Sequence, residues 1–336
     1  MSCGRAVKAA LCGAAFLFTT RAAYPLGVMQ SSPEYVSGSG ESFAGPAVFE
    51  PSAVELNLLS PNIHVNSSHS RAEQVMRALF KGHPRRIRDI AYIDGDWAVE
   101  LRGVWYFYAD GKLLPQSMRS LSDAYGAQPF YNYPKDLPPW KAPGKDESER
   151  LSKMAERRGT ERGIRSQYFY NDLWAINNRT EAWEQVKTLK FLGKDILAHH
   201  AILEELTLIE QKINAAARTN KQVKQWLDGI SSVSAWNWRT IADTQSTSNH
   251  AYGIAVDILP SSTRGLETYW LWTAQKRPDW WAVPYSARYH PPDAVVKIFE
   301  SYGFVWGGKW LFYDTMHFEY RPEILLLNGI ELTGEY

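Results

Sequence analysis

The segment "SNHAYGIAVDI", residues 248–258, holds an imidazole and a carboxylate that could bind one cation. His250 precedes Asp257 by seven residues, and Gly253 between them allows the chain to turn. The β-branched residues around Asp257 favour a strand. Imidazole and carboxylate are donors suited to Zn²⁺, but two ligands do not complete a site. Taken alone, the segment favours a hydrogen-bonded turn over a metal site.

A second segment, "WGGKWLFYDTMHFEYRP", supplies a third possible ligand. His317 lies in an otherwise apolar and aromatic stretch, with Asp314 three residues before it and Glu319 two residues after it. Burying three such groups together is costly without a counter-charge, which a divalent metal provides. We therefore predict one zinc ion bound by His250, Asp257 and His317, with a fourth position open to water, as in catalytic zinc sites.

A zinc hydrolase also needs a base for the attacking water and a cation for the developing oxyanion. Asp314 and Glu319 compete for the role of base. Strand alternation places Glu319 on the same face as His317 and therefore favours Glu319. Arg239, eleven residues before His250, is the candidate cation, although its position in the sequence also fits an ordinary surface arginine.

The two segments together resemble a known family. The first fits the pattern S-x-H-x-x-G-x-A-x-D, and "DTMHFE" fits the pattern D-x-x-H. Both patterns occur in the zinc peptidases that include VanY-type D-alanyl-D-alanine carboxypeptidases and bacterial or phage L-alanyl-D-glutamate endopeptidases. The resemblance covers roughly the last hundred residues and rests on two motifs in the family's order. It implies a zinc metallopeptidase that hydrolyses the stem peptides of cell-wall peptidoglycan.

The resemblance also implies roles for individual residues. His250, Asp257 and His317 would bind the zinc ion, and Asp314 rather than Glu319 would be the general base. That assignment requires Asp314 to lie in a turn or at the start of a strand.

Three further residues take supporting roles by the same resemblance. Arg239 would stabilise the oxyanion or bind the substrate carboxylate, and Ser248 would contact the substrate or support the ligands. Glu319 becomes a candidate for orienting a ligand histidine through a hydrogen bond.

The expected fold class is α+β: a small antiparallel sheet flanked by helices carries a single zinc site, preceded by a small α+β module. "RAEQVMRALFKGHP" predicts a helix, and "WAVELRGVWYFYADGKLLP" predicts a three-stranded meander with turns at Arg102-Gly103 and Asp110-Gly111. Residues 149–165 and 172–229 are mostly helical by pattern. One long helix is expected to include Ile196, Leu203, Leu206, Ile209 and Ile213.

Composition divides the chain into five predicted parts. These are a signal peptide at 1–23, a flexible linker at 24–70, a small N-terminal module with the β-meander at 71–140, a charged helical connector at 141–186 and the zinc peptidase domain at 187–336. A tryptophan-rich stretch at 263–292 predicts an enlarged loop between the two motifs, whose tryptophans form either a groove wall or a small separate core.

The N-terminus has the order of a secretory signal: basic residues, a short apolar stretch and then small residues. We expect export to the periplasm or cell envelope, with no transmembrane segment after cleavage; an uncleaved membrane anchor is the alternative. Leu11 before Cys12 disfavours a lipoprotein. Cys3 and Cys12, the only cysteines, lie in this segment, so cleavage would leave no disulfide and no thiolate ligand.

The charge balance excludes a global attraction to nucleic acid, because 37 basic and 36 acidic residues give a net charge of +1. The resemblance implies a peptidoglycan stem peptide as the partner, and the oligomeric state is left open. The bond cut is either the terminal D-Ala-D-Ala bond or an internal one, and "HFE" after the aspartate favours an endopeptidase. A catalytically silent, zinc-containing cell-wall binding protein is the alternative from another class.

Overall fold

The structure, a computed structural model, describes residues 70–156, 164–241 and 246–333. The predicted signal peptide at 1–23 and all but the last residue of the predicted linker at 24–70 lie outside these ranges. Within the described ranges, the helices are too short or too polar to cross a bilayer.

The N-terminal part is a helix followed by an antiparallel meander. Helix α1 (Arg71–Gly82) confirms the predicted helix, and Val75, Met76 and Leu79 form its buried face. The strands that follow are β1 (Ile87–Ile93), β2 (Asp96–Leu101), β3 (Val104–Phe107) and β4 (Leu114–Pro115).

These strands pair in sequence order, so the meander has four strands where the sequence predicted three. The additional strand is β1, whose side chains are mostly exposed or half-buried and therefore show no clear alternation. The predicted turn at Arg102-Gly103 is confirmed, since both residues have positive φ angles, 53° and 83°.

The middle of the chain contains a β-hairpin that the sequence did not predict. The elements of this middle part are α2 (Lys145–Glu156), α3 (Tyr168–Trp174), α4 (Arg179–Gln185), β5 (Val186–Phe191), β6 (Lys194–His199), α5 (Leu203–Ala217) and α6 (Lys221–Asp228), and β5 and β6 form the hairpin. The long helix through Ile196 is wrong, because Ile196 lies in β6 opposite Leu189. Leu192 and Gly193 close the hairpin with positive φ angles, and helical spacing begins only at Leu203.

The C-terminal part is a four-stranded antiparallel sheet with helices packed beside it, in the order β7-β8-β10-β9. Its elements are β7 (Ile230–Ser234), β8 (Ala255–Pro260), α7 (Trp270–Ala274), α8 (Asp293–Ser301), β9 (Phe304–Trp306), β10 (His317–Tyr320) and α9 (Pro322–Leu327). Short 3-10 helices cover Gln116–Ala124, His200–Ile202, Trp280–Ala282, Tyr285–Ala287 and Gly307–Lys309. Helices mixed with small antiparallel sheets confirm the predicted α+β class.

The main hydrophobic core joins all three parts of the described chain. It includes Leu79 of α1, Ile209 of α5, and Phe299 and Phe318 of the C-terminal part, whose rings stack 4.0 Å apart. Residues on both sides of the predicted boundaries at 140 and 186 contribute to this core; the domain division itself stays a prediction.

A second, smaller core forms where the tryptophan-rich stretch packs against residues outside it. It consists of Trp270, Trp280 and Trp281 of that stretch, Leu151 of α2, and Tyr313. The loop tryptophans were expected to form either a groove wall or a separate core. Trp270, Trp280 and Trp281 form a separate core. Trp272 in the same loop is exposed.

Candidate metal centre

Two of the predicted ligands face each other across neighbouring strands. His317, the first residue of β10, is paired in register with Asp257 of β8. Directly opposite residues of an antiparallel pair have side chains close enough to interact. Here His317 Nδ1 lies 2.9 Å from Asp257 Oδ1. The pairing of β8 with β10 thus brings together residues that are far apart in the sequence.

The third predicted ligand, His250, comes from the turn before β8. The backbone N–H of Gly253 donates to the carbonyl of His250 at 3.0 Å, and Gly253 has a φ of +71°, a conformation that glycine adopts without strain. The turn places His250 Nε2 3.2 Å from Asp257 Oδ2 and 3.2 Å from His317 Nδ1. One ligand atom from each of the three residues therefore lies within 4.8 Å of the others.

The second nitrogen of each imidazole is held by an oxygen that can only accept. His250 Nδ1 donates to the carbonyl of Ala235 at 2.5 Å, and His317 Nε2 donates to Glu319 Oε2 at 3.1 Å. These bonds fix the tautomers, so that His250 Nε2 and His317 Nδ1 can present lone pairs to a metal. Two imidazole nitrogens, each with its ring oriented by a hydrogen bond from the other nitrogen, and one carboxylate fit a zinc ion.

The electrostatics of the cluster favour a cation. Burial acts against the charged form of Asp257, but hydrogen bonds from His250 and His317 lower its pKa below the ordinary range. Burial also opposes the charged form of His317, yet the hydrogen bonds to Asp257 and Glu319 raise the pKa of His317 to about 10. The half-buried carboxylate of Asp257 and the buried carboxylate of Glu319 thus stabilise positive charge at this point, which a divalent ion would supply in place of a proton.

Comparison with known proteins agrees with this geometry. Residues 242–320 match the family model described as D-alanyl-D-alanine carboxypeptidase. This segment is similar to that peptidase family, as the two sequence motifs predicted. The matched range, called the peptidase domain below, contains all three clustered ligands. Residues 75–130 match a model described as a domain of unknown function. No curated protein and no solved structure matches the chain.

Asp314 of the peptidase domain lies in the turn before β10, as its predicted role as base requires. Its backbone N–H donates to Gly307, and its carbonyl accepts from the N–H of His317. Strand alternation does not apply to it, because β10 begins only at His317. Burial raises the pKa of Asp314 to about 6, with a smaller opposing effect from His317. A carboxyl group with this pKa can both accept and donate a proton near neutral pH.

Glu319 of the peptidase domain shares a face of β10 with His317, two residues away. Its Oε2 accepts from His317 and, at 2.8 Å, from Asn249 Nδ2. Burial opposes its ionised form, but the hydrogen bond from His317 lowers its pKa. These contacts support the predicted role of orienting a ligand histidine.

Ser248 and Arg239 lie differently around the site. Ser248 is buried, and its Oγ accepts from the backbone N–H of His250 at 3.3 Å, so it supports the ligand turn. The carbonyl of Arg239 accepts from the N–H of Ser248 at 3.1 Å, but the Arg239 side chain is exposed and reaches the carbonyl of Thr240 at 3.5 Å. The oxyanion role of Arg239 stays a prediction.

Sequence reasoning missed several groups around the ligands. The carbonyl of Ala235 left no signal, since every residue has one. The Trp310 ring lies 5.4 Å from the His317 ring, between centroids. Arg321 Nη1 lies 3.7 Å from Glu319 Oε1. Of these groups, Arg321 was visible in the sequence, two positions after Glu319, but it lies beyond the end of β10, so strand alternation does not place its side chain.

Proposed function

We propose that this protein is an exported zinc metallopeptidase that hydrolyses a peptide bond in the stem peptides of bacterial peptidoglycan. The observation that carries the proposal is the convergence of His250, Asp257 and His317 within the segment that matches a D-alanyl-D-alanine carboxypeptidase. Both histidines are held in the tautomer that turns a lone pair towards the cluster. This supports a metal site over a purely hydrogen-bonded cluster. The signal-like N-terminus supports export, which the location of the substrate outside the cytoplasm requires.

His250, Asp257 and His317 would hold one zinc ion, with a position left for water. When bound, zinc supplies Lewis acidity, which polarises the scissile carbonyl and lowers the pKa of water. Asp314 takes a proton from the attacking water as its oxygen bonds to the carbonyl carbon. The carbon–nitrogen bond then breaks, and Asp314 passes that proton to the leaving amine. Arg239 stabilises the negative charge that develops on the carbonyl oxygen.

The bond that is cut distinguishes two versions of this proposal. A carboxypeptidase removes the terminal D-alanine, as the name of the matched family implies. An endopeptidase cuts an internal bond, which the sequence "HFE" after the base favours.

The test is mass spectrometry of muropeptides after digestion of purified peptidoglycan. The zinc-loaded protein is compared with Asp314→Ala, which should retain zinc and lose about 100-fold or more in rate, as expected for removal of a general base. Asp195→Ala, which changes an exposed aspartate of the β5–β6 hairpin, is the control and should digest normally.

Each outcome decides one part of the proposal. Free alanine as the sole small product identifies the carboxypeptidase, and cleaved internal bonds identify the endopeptidase. Full hydrolysis by zinc-loaded Asp314→Ala would show that the base is another residue. Stoichiometric zinc without hydrolysis of any stem peptide would favour the silent wall-binding protein.

A further inference from the structure

A series of buried ionisable side chains connects the proposed metal centre to the N-terminal part of the protein. It begins at His317 and continues through Glu319, Arg321 and Glu323 to His83, which follows α1. The side chains of these five residues are each at most 11% exposed. Buried charges of this kind are stable only when every member is paired.

Arg321 is the central residue of this series. Its Nε donates to Glu323 Oε1 at 2.5 Å, and its Nη1 lies 3.7 Å from Glu319 Oε1. Its Nη2 reaches the hydroxyl of Tyr170 at 3.1 Å and the carbonyl of Pro129 at 3.3 Å. The planar guanidinium is thus fixed from three sides, and a rigid fork of this kind holds a carboxylate in one orientation.

The two carboxylate oxygens of Glu319 have different partners. Oε1 faces Arg321, while Oε2 accepts from His317 Nε2 and from Asn249. Arg321 therefore restrains the carboxylate that in turn orients the His317 ring. Without that contact, Oε1 would lose its ion pair while Oε2 kept its hydrogen bonds, and the carboxylate would orient the His317 ring less firmly.

The N-terminal part supports Arg321 through Glu323. Glu323 receives Arg321 on Oε1 and lies 3.1 Å from His83 Nε2 through Oε2. His83 is itself packed edge-on against the rings of Trp174 and Tyr320. Pro129, whose carbonyl contacts Arg321, and His83 both lie in the range that matches the domain of unknown function.

We infer that Arg321 is a positioning residue for the metal centre, and that the segment at 75–130 acts as its structural support through His83. The inference rests on the proposed metal site and does not depend on which peptide bond is cut. It gives the N-terminal segment a role in the proposed peptidase, because that segment contributes His83 to the series of buried side chains that begins at His317.

The test is a double-mutant cycle read out as the zinc dissociation constant, by competition with a chromophoric chelator. Arg321→Lys keeps the positive charge but loses the planar guanidinium, so any change in zinc affinity reflects the geometry of the contact with Glu319. It should weaken zinc binding about 10-fold, the lower end of what loss of a group behind a metal ligand costs. In a Glu319→Gln background the same change should weaken binding less than about 2-fold, because Arg321 acts through Glu319.

Arg288→Lys is the matched control. Arg288 is also buried, but its guanidinium donates to the carbonyl of Val283, and its substitution should leave zinc affinity unchanged. His83→Gln tests the residue of this series that is farthest from the metal site. It also provides the test if Arg321→Lys does not fold. It should weaken zinc binding about 3-fold with Glu319 present and leave it unchanged in Glu319→Gln.

Equal weakening in both backgrounds would overturn the inference, since it would show a general structural effect. Unchanged zinc affinity in both Arg321→Lys and His83→Gln would overturn it as well. Hydrolysis of peptidoglycan by the unmodified protein is measured separately, so failure of the proposed function and failure of this inference are distinguishable.

Discussion

His317 Nδ1 and Asp257 Oδ1 lie 2.9 Å apart because the two residues are paired in register across β10 and β8. A shift of one residue in this pairing would turn one of the two side chains to the opposite face of the sheet. The same backbone hydrogen bonds that build the sheet therefore also bring together two of the three proposed metal ligands.

Asp257→Asn is expected to remove the charged ligand while leaving the strand pairing intact. The neutral amide is a weaker zinc ligand, so the zinc dissociation constant should rise by more than the roughly 10–100-fold typical of losing a group behind a ligand. Competition titration and metal analysis of the purified protein measure this. The change of the exposed Asp195 to Asn should leave affinity as it is; equal affinity in Asp257→Asn would exclude Asp257 as a ligand.

Asp314→Asn should stabilise the metal-free protein above pH 6. Burial raises the folded-state pKa of Asp314 from 3.8 to about 6, so the folded state binds this proton more tightly than the unfolded state. The carboxyl group then favours folding fully below pH 3.8, and this contribution is lost as pH rises through 6.

The expected difference follows from that shift. Between pH 4 and pH 7.5, Asp314→Asn should gain up to about 3 kcal/mol in free energy of unfolding relative to the unsubstituted protein. Urea unfolding in the presence of a chelator measures it. The same difference at both pH values would show that Asp314 is not forced into a buried environment.

Gly253→Ala should destabilise the protein and weaken metal binding together. A Cβ at this position would lie 2.9 Å from the backbone nitrogen of His199 and 2.9 Å from Val186 Cγ1, in addition to the strain of a φ of +71°. The strain alone costs about 1–3 kcal/mol. Gly193→Ala is the control, because its φ is +76° but no atom lies within 4 Å of the added Cβ.

Unfolding free energies and zinc affinities of the two alanine variants separate strain from the clash. Gly253→Ala should lose more stability than Gly193→Ala, and it alone should lose zinc affinity. If Gly193→Ala loses as much stability and as much zinc affinity as Gly253→Ala, the close approach of Gly253 to β6 has no special importance.

His199 should make the protein less stable in acid. Its Nε2 donates to the carbonyl of Trp174 at 2.9 Å, and its Nδ1 accepts from the backbone of Ala201. Burial lowers its pKa from 6.5 to about 3, so the neutral ring is favoured in the folded state. The stability it contributes is complete above pH 6.5 and is lost as pH falls towards 3.

The loss from this group should approach about 1.4 kcal/mol for each pH unit over that range. His199→Gln carries no titratable group, so its free energy of unfolding should change less between pH 7 and pH 5. Parallel pH dependence in the two proteins would contradict the assignment of a buried neutral His199.

The fold was predictable where the signal was local. The amphipathic spacing of Val75, Met76 and Leu79 predicted α1, and Arg102-Gly103 predicted a turn. The β5–β6 hairpin was missed because Ile196 continued the apolar spacing of α5 into a strand. Strand β1 was missed because most of its residues are exposed, so that only its pairing with β2 defines it.

At the site, the types and spacing of His250, Asp257 and His317 determined which side chains could bind one ion. The sequence alone also left Asp314 and Glu319 as rivals for the base, and only the family resemblance ranked them. The tertiary structure placed Asp314 in a turn and Glu319 behind His317. It also revealed Arg321 and His83, which no motif includes.

The physical reason for this division is distance along the chain. Ligand chemistry and turn formation depend on a residue and its near neighbours, which the sequence shows directly. The restraint on Glu319 depends on the side chains of Arg321, Glu323 and His83, and His83 lies more than 200 residues earlier in the chain. Such a network exists only once the sheet has paired and α1 has packed against the C-terminal helix.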